Sequence, residues 1–138
     1  MQEVVKSKFE QTIMGNLTSN GELLDLEDKN IGPEELSLLC DAEDLSSVKQ
    51  LFLSQNELCG ESIEILSRVK GLTGLVSLYL NNNIIGDEEA KVLANAEVFK
   101  NLKCLMLEAN NIGTQGAESL ASSPNLKNLE VLFLDSNH

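Results

Sequence analysis

The chain has 138 residues, enough for one domain, and a net charge of −12 from 22 acids against 10 Lys and Arg. An acidic body of this kind repels phosphate backbones and anionic headgroups, which argues against nucleic acid or a membrane as partner. No apolar run approaches a membrane span, and the start MQEVVKSKFE lacks the apolar centre of a secretion signal. Three cysteines without tight pair spacing (Cys40, Cys59, Cys104) read as free thiols of a reducing, cytoplasmic compartment.

Residues 1–20 form an N-terminal capping helix and a linker, with Glu3 and Glu10 balanced by Lys6 and Lys8. The periodicity predicts a helix over 4–14: Val5, Phe9 and Ile13 lie four apart on one face, with Lys6, Lys8 and Glu10 on the other. Val4 and Phe9 stand 27 residues before Ile31 and Leu36, so this helix keeps the phase of the repeats after residue 21 and covers an otherwise open end. Gly15 and the polar run Thr18-Ser19-Asn20-Gly21 are expected to end it.

From residue 21 onward the chain repeats itself every 27 residues. Leu26, Leu53, Leu80, Leu107 and Leu134 mark the interval, which never slips. Each unit starts with a short strand, predicted near 23–26, 50–53, 77–80, 104–107 and 131–134. An Asn stands after the strand at Asn56, Asn83, Asn110 and Asn137, and Lys29 departs from that column. Backbone polar groups lose their ladder partners where the strand ends, and a carboxamide can satisfy them inside the core. These four Asn are therefore read as a structural ladder. Helices are predicted near 33–42, 60–69, 87–96 and 114–122, opened by Gly32, Gly86 or Gly113 and, at two of them, by acids in the first turn. Leu36 with Leu39, Ile63 with Leu66, Ala90 with Leu93 and Ala117 with Leu120 form the inner helix face. Leu45, Leu72, Phe99 and Leu126 close the return loops. The fold class is α/β: a right-handed solenoid with a parallel sheet on the concave face and helices on the convex face. Residues 21–138 hold four full repeats and the strand half of a fifth.

The written pattern L-x-x-L-x-L-x-x-N-x-[LI] is that of a leucine-rich repeat. The runs LYLNNNIIGDEEAKVLANA and LMLEANNIGTQGAESLA resemble the ribonuclease-inhibitor-like class of these repeats, which has a strand, an Asn turn and a full α-helix. The resemblance covers residues 21–138. It implies an intracellular protein that offers its inner surface or rim to protein partners. Relatives of this kind include the ribonuclease inhibitor, receptor domains of intracellular immune proteins and activators of the small GTPase Ran. The repeat here is slightly shorter than the inhibitor's, and four and a half turns are too few for that horseshoe.

Catalytic chemistry is sparse. The single histidine, His138, is the last residue, so neither a buried His-based triad nor a multi-His metal site is expected. No calcium-loop spacing accompanies the acidic runs at 41–44 and 87–89, which read as solvated helix ends. The glycines recur once per turn instead of forming a phosphate loop. No catalytic residue, cofactor or metal is assigned.

Residues alternating with the core leucines must face the concave side. One column reads Asp25, Phe52, Tyr79, Met106, Phe133, and its neighbour on one side reads Glu27, Ser54, Asn81, Glu108, Asp135. Three of the five aromatics fall in the first column. Generic strand propensity would produce such residues without a partner. An apolar ladder flanked by acids also has the composition of a protein-binding face. The partner-binding candidates are Asp25, Glu27, Phe52, Tyr79, Met106, Glu108, Phe133 and Asp135, and the expected partner is a protein or peptide with basic and apolar groups. Alternatives are a small-GTPase regulator, or a structural fragment of a larger intracellular receptor, which the half-turn at Asn137-His138 suggests. The last strand has no repeat after it, so weak self-association through that edge is expected.

Overall fold

A computed structural model describes residues 2–42 and 45–138, and the side chains of Gln2, Val5 and Lys6 lie outside that description. So do Glu43 and Asp44 of the acidic run at 41–44, and the placement of Val5 and Lys6 on opposite helix faces. The elements run α1 (Gln2–Asn16), β1 (Leu23–Asp25), α2 (Pro33–Asp41), β2 (Gln50–Phe52), α3 (Gly60–Leu66), β3 (Ser77–Tyr79), α4 (Asp87–Asn95), β4 (Cys104–Met106), α5 (Thr114–Ala121) and β5 (Val131–Phe133). The five strands form one parallel sheet in sequence order. Leu24, Leu51, Leu78, Leu105 and Leu132 are direct neighbours across it, each pair 27 residues apart. Parallel strands need a crossover between them, and here a helix supplies each one. The architecture is thus an α/β leucine-rich-repeat solenoid.

The core is the leucine pattern made physical. Leu78 and Leu80 are fully buried while Tyr79 between them is not, because side chains alternate across a strand. Leu36, Leu39, Ile63, Leu66, Ala90, Leu93 and Leu120 bury the inner helix faces, and Leu45, Leu72, Phe99 and Leu126 close the return segments. Each large apolar side chain so buried contributes about 1.5–3 kcal/mol.

Several boundaries differ from the sequence-based expectation. The strands end at Asp25, Phe52, Tyr79, Met106 and Phe133, one residue early, although the N–H of the next leucine still bonds across the sheet, as Leu53 does to the Tyr79 carbonyl. The helices are shorter than expected, most of all α3, and two return segments tighten into 3-10 turns at Lys70–Leu72 and Glu97–Phe99. Helix α1 is longer at both ends and runs through Gly15 to Asn16. The Asn16 side-chain amide donates to the Thr12 carbonyl in its last turn (2.7 Å), and Leu17 then bridges Leu24 in antiparallel fashion. Phe9 and Ile13 are buried as the cap, but Val4 is 71% exposed, so its phase match with Ile31 places it in no core.

Helices α4 and α5 make the most extensive helix–helix contact. A side-chain cap joins them. Asp87, the first residue of α4, accepts the backbone N–H of Gly113 (2.7 Å) and of Gly116 (2.9 Å) at the start of α5. Gly116 permits this approach, since a Cβ there would lie 2.6 Å from Asp87 Oδ1 and 2.8 Å from Ile112 Cγ2.

Candidate functional site: the sheet face and its asparagine ladder

Below the sheet surface, the Asn column does more than serve its own turn. Asn83 Oδ1 accepts the N–H groups of Asn56 (3.0 Å) and Leu58 (2.9 Å), both in the preceding turn. Its amide donates to the carbonyls of Leu53 (3.1 Å) and Leu80 (3.0 Å). Asn56 likewise accepts from Lys29 and Ile31, and Asn110 from Asn83 and Ile85. Asn137 accepts from Ile112 and donates to Leu107 and Leu134. Each carboxamide therefore staples one turn to the turn before it. Asn56, Asn83 and Asn110 are buried; Asn137 is half-buried. This geometry also explains Lys29. The first turn has no earlier turn to staple, so position 29 needs no carboxamide, and the Lys29 side chain is exposed.

The residue before each ladder Asn adopts a left-handed backbone, as does its counterpart before Lys29. Asp28 (φ 52°), Gln55 (60°), Asn82 (56°), Ala109 (54°) and Ser136 (60°) form this column. Glycine holds none of these positions; Asp28 and Asn82 are residue types that tolerate the conformation, but Gln55, Ala109 and Ser136 are not, so the column carries no consistent signal.

On the open face, Phe52 and Tyr79 stack with ring centroids 4.2 Å apart and planes 5° from parallel. Register makes them neighbours: Phe52 pairs with Tyr79, Tyr79 with Met106, and Met106 with Phe133. Phe52, Tyr79 and Met106 are half-buried, and Phe133 is 41% exposed. A stacked pair contributes about 0.5–1.5 kcal/mol to sheet stability beyond area burial. It also leaves the ring edges of a continuous apolar column facing outward. Val131, two residues before Phe133, extends the apolar surface at 39% exposure.

The neighbouring column divides into two kinds of residue. Glu27 and Asp135 are exposed and Glu108 is half-buried. Ser54, expected on the open side, is instead buried at 4%: its short side chain is turned to the next repeat, where the Ser54 hydroxyl oxygen accepts the Asn81 N–H (3.0 Å). Asn81 in turn accepts the Glu108 N–H at its side-chain oxygen (2.8 Å). Asp25 is exposed, and one of its carboxylate oxygens accepts the Glu27 N–H (3.1 Å). Lys49 and Lys103, both exposed, stand immediately before β2 and β4, at the edge where the strands begin.

Burial raises the pKa of the half-buried Cys104 thiol on β4. Cys40 on α2 is also raised, by burial first and then by Asp41, against a lowering effect of Arg68. All three thiols are free. Among the described residues no group of three or more potential metal ligands forms a site, and no helix is long and apolar enough to cross a membrane.

The in-register strands, the crossover helices and the Asn staples define a leucine-rich-repeat fold. No family model matches the chain, and no curated protein matches it at a significant level. Among solved structures it is similar to an internalin from Listeria monocytogenes, at 24% sequence identity with a TM-score of 0.41. The match covers 70% of this chain and 30% of the internalin chain.

Proposed function

We propose that this protein is a protein-interaction module of the ribonuclease-inhibitor-like class, acting in the cytoplasm by binding a protein or peptide on its concave sheet face. The observation that carries the reading is the Phe52–Tyr79 stack continued by Met106 and Phe133, an unbroken apolar column on a face that nothing else in the described chain covers. Asp25, Glu27, Glu108 and Asp135 flank it with negative charge, which favours a partner with basic and apolar groups and makes association sensitive to salt. Helices of eight or nine residues in α2, α4 and α5 support the class. Three free thiols support a reducing compartment.

Tyr79 is the most central anchor, so it should carry much of the binding energy. The test is calorimetric titration of a partner recovered by comparing wild type with Tyr79→Glu in a pull-down. Tyr79→Ala is expected to weaken binding by about 2 kcal/mol or more. Bound partner should also slow labelling of Cys104, two residues from Met106 on the same face, and leave Cys40 on α2 unchanged. Unaltered affinity of Tyr79→Ala, with charge reversals at Glu64 or Lys91 on the helices abolishing binding, would refute the reading.

A further inference from the structure

Resting on the concave-face reading, we infer that the segment seated there is an amphipathic α-helix lying across the strands, with its Lys/Arg flank turned toward the rim where the strands end. The spacing of the column decides between helix and extended chain. Phe52, Tyr79, Met106 and Phe133 occupy consecutive strands, so three steps along the column measure about 14 Å. Three turns of α-helix advance about 16 Å, and a stripe at i, i+4, i+7 and i+11 meets four residues over that distance. An extended segment repeats a face every second residue, so three of its steps cover about 20 Å. The helix misses the column by about 2 Å over its length, and the extended chain by more than twice that. Met106, unbranched and adaptable, stands where such a mismatch must be absorbed. An extended partner would in any case gain its main-chain hydrogen bonds at a sheet edge and not on a face.

Charge sets how the helix is turned. Two residues beyond the apolar column, about 7 Å along the strands, lie Glu27, Glu108 and Asp135. Three residues before it, at the edge where the strands begin, stand the exposed Lys49 and Lys103, with Glu22 and Glu130 at the two ends of that row. A helix about 10–12 Å across, seated on the column, presents a different flank to each rim. An extended strand has only an up face and a down face, and cannot place apolar, basic and acidic stripes side by side. The occupant is therefore about 11–15 residues of helix, with an apolar stripe, a basic flank on the strand-exit side and an acidic or neutral flank opposite Lys49 and Lys103.

The test is selection from a display library of random linear peptides of about 16 residues, long enough for four turns. Peptides are panned on the full chain and measured against wild type, Tyr79→Glu and Met106→Glu, each variant first checked for wild-type circular dichroism and urea midpoint. If one variant fails that check, the other carries the comparison. The expected result is enrichment of an apolar period of three to four with Lys or Arg along one flank, helicity on binding, and a loss of about tenfold or more in affinity on either variant. Enriched peptides with an apolar period of two that still lose affinity on the variants would overturn the helix and leave the concave-face reading standing. Helical peptides with acidic residues on the flank facing Glu108 would overturn the charge assignment. Peptides that bind wild type and variants equally, or no enrichment at all, would overturn the concave-face reading and this inference with it.

Discussion

Removing the Asn83 carboxamide tests the ladder at its centre. Asn83→Ala deletes the acceptor for the N–H groups of Asn56 and Leu58. It also deletes a donor to the carbonyls of Leu53 and Leu80, but those keep a partner: Asn56 still donates to Leu53, and Asn110 to Leu80. The cost therefore falls on two buried N–H groups, each left unsatisfied at about 1–3 kcal/mol. The sum, roughly 2–6 kcal/mol, is a large part of the 5–15 kcal/mol typical of a domain. Asn137→Ala should cost far less, because that side chain is half-buried and accepts only the Ile112 N–H at the terminal turn. Urea unfolding measures both, read as a shift in midpoint at comparable slope. The exposed Asn111→Ala serves as the control. Asn83→Ala within about 0.5 kcal/mol of wild type, the range of ordinary surface substitutions, would refute the stapling argument. Equal losses at Asn83 and Asn137 would refute the claim that burial and the count of stapled N–H groups set the magnitude.

The same geometry fixes other outcomes. Gly116→Ala should destabilise by about 1–3 kcal/mol through overpacking against Asp87 and Ile112, and Gly15→Ala, with open space around its position, should be neutral or stabilising by thermal melting. Ala109→Gly should stabilise by about 0.5–1 kcal/mol, since alanine bears the left-handed φ of 54° without a polar side chain to offset it; a loss of stability would show that the turn tolerates alanine without strain. Cys40 and Cys104 should react with maleimide more slowly than free cysteine near pH 8 and catch up as pH rises, because both folded-state pKa values are raised. The unfolded chain releases these protons first, so their linked contribution to stability should fall as pH climbs through the ordinary thiol range. Sedimentation should detect weak self-association through β5, whose outer edge pairs with no strand among the described residues, and a strict monomer at high concentration would argue against it.

The solenoid is readable in the sequence because its signal is redundant. Leu26, Leu53, Leu80 and Leu107 repeat one instruction at one interval, so a local error in any turn is outvoted by its neighbours. The illegible features lie where one residue serves another turn. Lys29 reads as a departure from the Asn column, and its logic appears only when the carboxamide is seen reaching backward to the preceding turn. Simple alternation places Ser54 on the open face with Glu27 and Asp135, but its short side chain bonds the Asn81 N–H of the next turn and is buried. Gly15 reads as a helix terminator, yet a single glycine costs only about 1 kcal/mol in a helix, and α1 continues one residue beyond it. The left-handed column is hard to read because only Asp28 and Asn82 are residue types enriched in that conformation, and Gln55, Ala109 and Ser136 carry no such mark.

The two sides of each strand carry separable duties, and the separation has a limit. Leu78 and Leu80 hold the core while Tyr79 between them faces outward, so the apolar column can change without opening a cavity. That is why Tyr79→Ala is expected to affect binding more than folding, its stability cost confined to the stack with Phe52. The adjacent column lacks this freedom. Ser54 accepts from the Asn81 backbone, and the Asn81 side chain accepts from the Glu108 backbone. Substituting Asn81 to alter the charge of the rim would remove that acceptor and disturb the turn that positions Glu108. At Glu27 and Asp135 the side chains are exposed. Charge reversal there should change the salt dependence of binding while leaving the urea midpoint in place. Asn81→Lys should shift both, and a shift in binding alone would show that the Asn81–Glu108 contact does not hold the rim.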